Sequence, residues 1–262
     1  MGMSEYKTLL YQQKDHVATV TLNRPEQMNA FNVQMMLELA DVWTKVRDNP
    51  DVWVAILTGA GDRAFCAGVD VKEVSSGEQH MPSRWGYWTL TTRQVDCWKP
   101  TILALNGMCV GGGLTFLADC DLVVAAERAM IIETHVNVGL VSAMETIRLS
   151  RKIAYNEIAR MAVVGKGVRM TAQRAFELGL VNYVVPKERL LERATQLAEQ
   201  VCQNAPLAIQ GSVEALWGGF QYGYTQATER AFKIVQENFF TEDFLEGPRA
   251  FAEKRKPQWK AR

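Results

Sequence analysis

The chain has 262 residues, 48% hydrophobic and 22% charged, enough to bury one large core or a core with an appended lobe. Lysine plus arginine and aspartate plus glutamate balance at 29 each, so no overall field argues for nucleic acid or a membrane surface as a partner, and any bound anion must be met by local groups. Cys66, Cys97, Cys109, Cys120 and Cys202 form no C-x-x-C pair, no basic-then-apolar leader opens the chain, and no run approaches the roughly 18 apolar residues of a membrane span; a cytoplasmic location is expected.

Two short alternating segments, 6–12 and 16–22, predict a β-hairpin closed by Gln13, Lys14 and Asp15. Over 33–48, Met36, Leu37, Leu39, Ala40, Val42, Trp43 and Val46 recur at helical spacing, and 53–58 is a short apolar strand before Gly59. Strand, helix and strand in succession are the mark of a parallel layer. After 74–86, which has no clear periodicity, the pattern predicts a helix over 87–97, a strand over 101–105, a helix over 112–119 and a strand over 122–126. Thr171 caps and Gly179 stops a further helix, and 180–185 is a strand ended by Pro186. Segments 187–203, 206–217, 225–239 and 247–255 read as helices, so an α/β core over 1–186 is expected to precede a helical region over 187–262.

Two glycine-containing turns follow predicted strands: FCAGVDVKE (65–73) and NGMCVGGGLTFLADCD (106–121). A glycine run that opens a helix lets a ligand approach the backbone, and the unpaired N–H groups of the first turn point at it. The same run serves equally well as close helix packing. Neither turn carries a nucleotide phosphate-loop motif.

In order along the chain, LNRPEQMNAFN, ILTGAGDRAFCAGVDVKE, KPTILALNGMCVGGG, ADCDLVVAAERA, GKGVRMTAQRAFELGLVNYVVP and EGPRAFAEKRKPQW resemble the enoyl-CoA hydratase/isomerase (crotonase) family over essentially the whole length. The resemblance implies a crotonase-like α/β spiral of β-β-α units with a helical C-terminal trimerisation lobe. It also implies a homotrimer or dimer of trimers and an acyl-CoA thioester as substrate. No metal is expected, nor any cofactor beyond the coenzyme A moiety. The backbone amides of Val69 and Gly112 become the two donors of an oxyanion hole, suited to a thioester carbonyl that gains negative charge as it turns into an enolate. The adenine end of coenzyme A is expected along Gln27, Met28, Ala30, Ala67 and Asp70, with Phe251 and Lys254 reaching in from a neighbouring subunit. Without the resemblance, Lys254 reads as a solvated tail charge. At Glu26 the chain departs from the many relatives that carry a basic residue near the phosphates.

Hydratases of this family use two glutamates to hold and activate water; Thr115 and His135 stand in those places. A threonine hydroxyl hydrogen-bonds a water but does not take its proton at neutral pH, so the paired-carboxylate mechanism is missing. A histidine beside Val136 and Val138 is by itself more often structural, but its coincidence with a catalytic position makes His135 the candidate acid or base. Glu133, two residues earlier, shares a face with His135 if that segment is extended, the alternative being a surface carboxylate. Glu145 is placed to close the site from the start of the next helix, in a segment, GLVSAMETIRLSR, that lacks the family's usual proline and glycines. Trp85, Tyr87, Trp88 and Trp98 fall where relatives cap the acyl pocket; such residues are more often core, but as a lining they favour a bulky acyl group. The histidine and aspartate that related dehalogenases place near Trp88 and Ala143 are absent. The expected function is enolate stabilisation followed by hydration or dehydration, isomerisation or C–C hydrolysis of a bulky unsaturated or β-keto acyl-CoA. The alternative is an acyl-CoA-binding protein without catalysis.

Overall fold

Strands that are apolar at every position need cover on both faces, and the computed structural model, which describes residues 6–72 and 89–262, supplies it. β1 (Leu9–Lys14) and β2 (Val17–Leu22) form the expected antiparallel hairpin, with Leu9 opposite Leu22. Helix α1 (Val33–Asp48) follows, its first turn capped by the Asn32 side chain, which accepts from the Met35 amide at 3.0 Å. β3 (Val54–Gly59), β4 (Ala64–Cys66), β5 (Thr101–Leu105), β6 (Met108–Val110), β7 (Leu122–Ala126) and β8 (Met130–Ile132) then come as consecutive pairs. Each pair sends one strand to each of two sheets. With β9 (Met170–Thr171) and β10 (Tyr183–Val185), the orders are β1-β2-β3-β5-β7-β10 and β4-β6-β8-β9, parallel except for β1/β2 and β8/β9. This stepping between sheets is the spiral that the resemblance implied. The small sheet escaped the sequence reading because strands of two or three residues are too short to show a period.

Further helices among the described residues are α2 (Leu114–Asp119), α3 (Met144–Leu149), α4 (Tyr155–Val164), α5 (Ala172–Glu177), α6 (Leu190–Val201), α7 (Pro206–Gln221), α8 (Tyr224–Asn238) and α9 (Glu242–Ala252). Alternate strand residues divide the interior. Ala55, Leu57, Leu103, Leu105, Val123 and Ala125 join the main core with α1, while Val54, Ile56, Ile102, Ala104, Val124 and Ala126 pack against Leu190, Ala194, Leu197 and Ala198 of α6. The C-terminal region is pinned to the sheet by Trp217 of α7, whose Nε1 donates to Asp121 Oδ1 at 2.8 Å; Asp121 Oδ2 accepts from the Thr101 amide at 2.7 Å.

Three expectations change. The described part of 87–97 is a 3-10 turn, Thr92–Val95, bracketed by a capping box between Thr91 and Gln94 and ended by Asp96 in the left-handed region at φ 52. Within α1, Leu37 points outward and Glu38 inward, because its carboxylate accepts the Lys7 and Thr8 amides at 2.8 and 2.9 Å. The last helix begins at Glu242 rather than Gly247, since Thr241 Oγ1 caps it by accepting from the Phe244 amide, and Pro248 lies inside it. Among the described residues no helix is long and apolar enough to cross a membrane.

Candidate active site

The two glycine turns meet. Residues 28–31 run beside 67–70: the Ala67 amide donates to Met28 O, Phe31 to Gly68 O and Asp70 to Phe31 O, at 3.1, 2.8 and 2.9 Å. Val69, paired with Phe31 by an isolated bridge, lies inside this ladder, yet its own N–H donates to no backbone carbonyl among the described residues. Gly112 is the second residue of the 3-10 turn Gly111–Gly113 that feeds α2, so its N–H has no preceding turn to donate to. Two buried asparagines hold the loops that carry these turns. Asn29 Nδ2 donates to Ala60 O and Ala64 O at 2.9 and 3.0 Å, and Asn106 accepts from the Gly59 amide at 3.2 Å while donating to Gly61 O at 3.1 Å. Cys66 lies behind the turns, fully buried, and burial pushes its thiol up to about 12, so it stays neutral.

His135 stands beside the glycine run: a methyl built on Gly111 would be 4.0 Å from His135 Cε1 and 2.8 Å from Thr134 Oγ1. Glu133 is not on a shared strand face, because β8 ends at Ile132 and His135 opens a 3-10 turn, His135–Val138. The pair nevertheless meets. Glu133 Oε1 accepts from the His135 amide at 2.7 Å and from His135 Nδ1 at 2.6 Å, and Glu133 is fully buried rather than a surface carboxylate. Burial pushes Glu133 up, but the His135 ring and amide outweigh it and hold the carboxyl below its ordinary range. Glu133 likewise lifts His135 above its ordinary value against the opposing effect of burial, and the Glu145 charge adds to the lift. With Nδ1 on Glu133, the imidazole keeps Nε2 for a ligand.

Glu145, in the first turn of α3, accepts from Thr115 Oγ1 at 3.0 Å, both residues being buried. The Thr115 hydroxyl therefore meets a carboxylate from another helix. The strip expected to hold coenzyme A is also assembled in part: Gln27 ends the 3-10 turn Pro25–Gln27, Met28 sits in the left-handed region at φ 53, and Ala30, Ala67 and Asp70 lie along the ladder. Arg24 ties it together, Nη1 donating to Ala30 O at 2.6 Å and Nη2 to Asp70 Oδ2 at 3.0 Å. Sequence reasoning missed Arg24; its signal was a cation directly before the proline of the LNRPEQMNAFN block. Phe251 and Lys254 lie at the end of the C-terminal helical region and are both exposed, Phe251 at 87%. Trp98 is half-buried, with Arg93 5.3 Å over its ring and equally over that of Trp217. Trp85, Tyr87 and Trp88 fall outside the described residues.

Residues 12–262 match the family model described as enoyl-CoA hydratase/isomerase. The chain is 35% identical to mevalonyl-coenzyme A hydratase of Aspergillus fumigatus, covering 94% of this chain and 92% of that protein. It is 34% identical to (E)-benzylidenesuccinyl-CoA hydratase of Thauera aromatica, over 94% and 96%. Among solved structures, an enoyl-CoA hydratase/isomerase from Mycobacterium paratuberculosis superposes with a TM-score of 0.90 at 38% identity, over 98% of this chain and 100% of the other.

Proposed function

Because the chain belongs to the enoyl-CoA hydratase/isomerase family, we propose that it adds water to an unsaturated acyl-CoA, or removes it from the β-hydroxy product, with His135 in place of a glutamate. The pairing of the half-buried His135 with the fully buried Glu133 beside the glycine run carries this reading. In the hydration direction His135 Nε2 takes a proton from water as the oxygen bonds to Cβ. The Cα=Cβ electron pair moves into the thioester, the enolate oxygen is met by the Val69 and Gly112 amides, and the imidazolium returns its proton to Cα. Glu145, fixed by Thr115, accepts a hydrogen bond from the second O–H of the water, whose hydrogen stays on the new β-hydroxyl. The hydratase and dehydratase names of the relatives favour this outcome over isomerisation or C–C hydrolysis of a β-keto thioester. A bulky acyl group remains the expectation from Trp85, Tyr87 and Trp88.

Gln27, Met28, Ala30, Ala67 and Asp70 would hold the adenine end, completed by Phe251 and Lys254 of a neighbouring copy in a homotrimer or dimer of trimers. The exposed Phe232, Phe239, Phe240 and Leu245 on the C-terminal helices and their connections support such burial between copies. His135→Gln tests the assignment on a panel of enoyl- and β-hydroxyacyl-CoAs. The expected loss in kcat is about 10²- to 10⁴-fold with thioester affinity retained. Unchanged turnover would remove His135 from the mechanism, and binding without turnover in the native protein would favour an acyl-CoA-binding protein.

A further inference from the structure

Three side-chain polar atoms are buried without a hydrogen-bond partner among the described residues, and two of them, Glu133 Oε2 and Ser142 Oγ, belong to this one site. Glu133 Oε1 is engaged twice by His135, which leaves Oε2 as the open half of a fully buried carboxylate. Ser142 lies in the short connection between the His135 turn, ended by Gly139, and α3, which carries Glu145. Its carbonyl is occupied by Thr146 Oγ1 at 3.0 Å, so the backbone is anchored while the hydroxyl is not. A hydroxyl is a rotor with one proton to give, and an ionised carboxylate oxygen is the acceptor that most needs it.

We propose that Ser142 is a positioning residue: its hydroxyl donates to Glu133 Oε2 and, by filling the carboxylate's last open acceptor, fixes the Glu133–His135 pair with Nε2 turned to the acyl chain. The influence of Ser142 in holding the Glu133 carboxyl low is consistent with a hydroxyl facing it. The other titratable groups facing the pair are Glu145, whose charge is felt at His135, and the buried Cys109 thiol of β6, which burial chiefly and Glu133 among other charges push upward. Leu140 and Val141 beside Ser142 are exposed at 52% and 82%, so the connection has room to settle as the acyl group arrives.

The inference rests on the His135 reading, and its test separates the two. Ser142→Ala is expected to lower kcat about three- to tenfold with little change in KM, the range of one hydrogen bond. It should also move the acid limb of the kcat profile, which His135 sets as the base, to higher pH, because a Glu133 carboxylate without that donor turns more of its charge on the imidazole. Ser142→Thr, which keeps the hydroxyl, should restore both. Carboxyl NMR of Glu133, which needs no turnover, should show the same upward movement in the alanine variant. A Glu133 titration unchanged by Ser142→Ala overturns the role of Ser142 whatever the kinetics. A titration that moves while the kinetic limb stays put supports the hydrogen bond and overturns the catalytic role of the pair instead.

Discussion

Gly68 lies against Gly112: a methyl group on Gly68 would stand 3.2 Å from the Gly112 nitrogen and 3.0 Å from the Val110 carbonyl oxygen. Gly68 is also at φ 90, where any side chain strains the backbone. Gly68→Ala is therefore expected to push apart the two turns that present the Val69 and Gly112 amides. If those amides hold the enolate oxygen, kcat should fall by about 10²- to 10³-fold, as for loss of one oxyanion donor. Calorimetric affinity for a non-reactive acyl-CoA should change far less. An alanine variant with native kcat would mean that the turns do not stabilise charge.

The His135–Glu133 pair should leave a signature in stability as well as rate. His135 is raised above its ordinary 6.5, so its contribution is fully present below 6.5 and is lost as pH rises through the raised value. Glu133 is lowered from 4.5, so its contribution is present above 4.5 and is lost as pH falls through the depressed value. The stability difference between the native chain and His135→Gln should peak between these ordinary values and shrink on either side. Urea midpoints measured across that range check it; a difference flat with pH would deny the ionised pair.

Much of this site was legible because its parts are local in sequence. The glycine run and CAGVD announce their turns by composition, and α1 announces itself by period over 16 residues. What was illegible is what depends on two segments meeting. Glu133 and His135 looked like a matter of strand parity, yet a turn joins them. Thr115 looked like a loss: Glu145 was expected to close the site, but nothing local says that this carboxylate, 30 residues later, will take the Thr115 hydroxyl as its donor. Arg24 was hidden likewise, its partner Asp70 lying 46 residues away. Side chains that act through long-range pairs carry no periodic signal.

Arg24 offers a test of the coenzyme strip that leaves the reaction centre alone. Its guanidinium holds Ala30 O and Asp70 Oδ2 together, and charge-assisted bonds of this kind are worth about 1.5–3 kcal/mol. Arg24→Ala should raise KM for acyl-CoA by about tenfold or more. Turnover of the matching N-acetylcysteamine thioester, which lacks the nucleotide, should be close to native. Lysine at this position should rescue only in part, since it cannot span both acceptors. Equal losses on both thioesters would place Arg24 in general folding rather than in the strip.

The Thr115–Glu145 contact gives a test in which stability and activity part company. Thr115→Val is nearly isosteric and removes only the donor, leaving a nine-tenths buried carboxylate oxygen against a methyl group. Stranding one buried partner costs about 1–3 kcal/mol, whereas replacing both partners by apolar groups can be nearly neutral. Thr115→Val should thus melt several degrees lower, at about 2–4 °C per kcal/mol for a chain of this size. Thr115→Val combined with Glu145→Leu should recover most of that loss. Activity should not recover, because the double variant lacks the carboxylate that the hydroxyl held toward the acyl chain. Calorimetry beside a turnover assay reads both. A double variant that regains activity along with stability would show that Glu145 serves the fold alone, and a Thr115→Val protein as stable as the native one would show that the hydroxyl does not hold it.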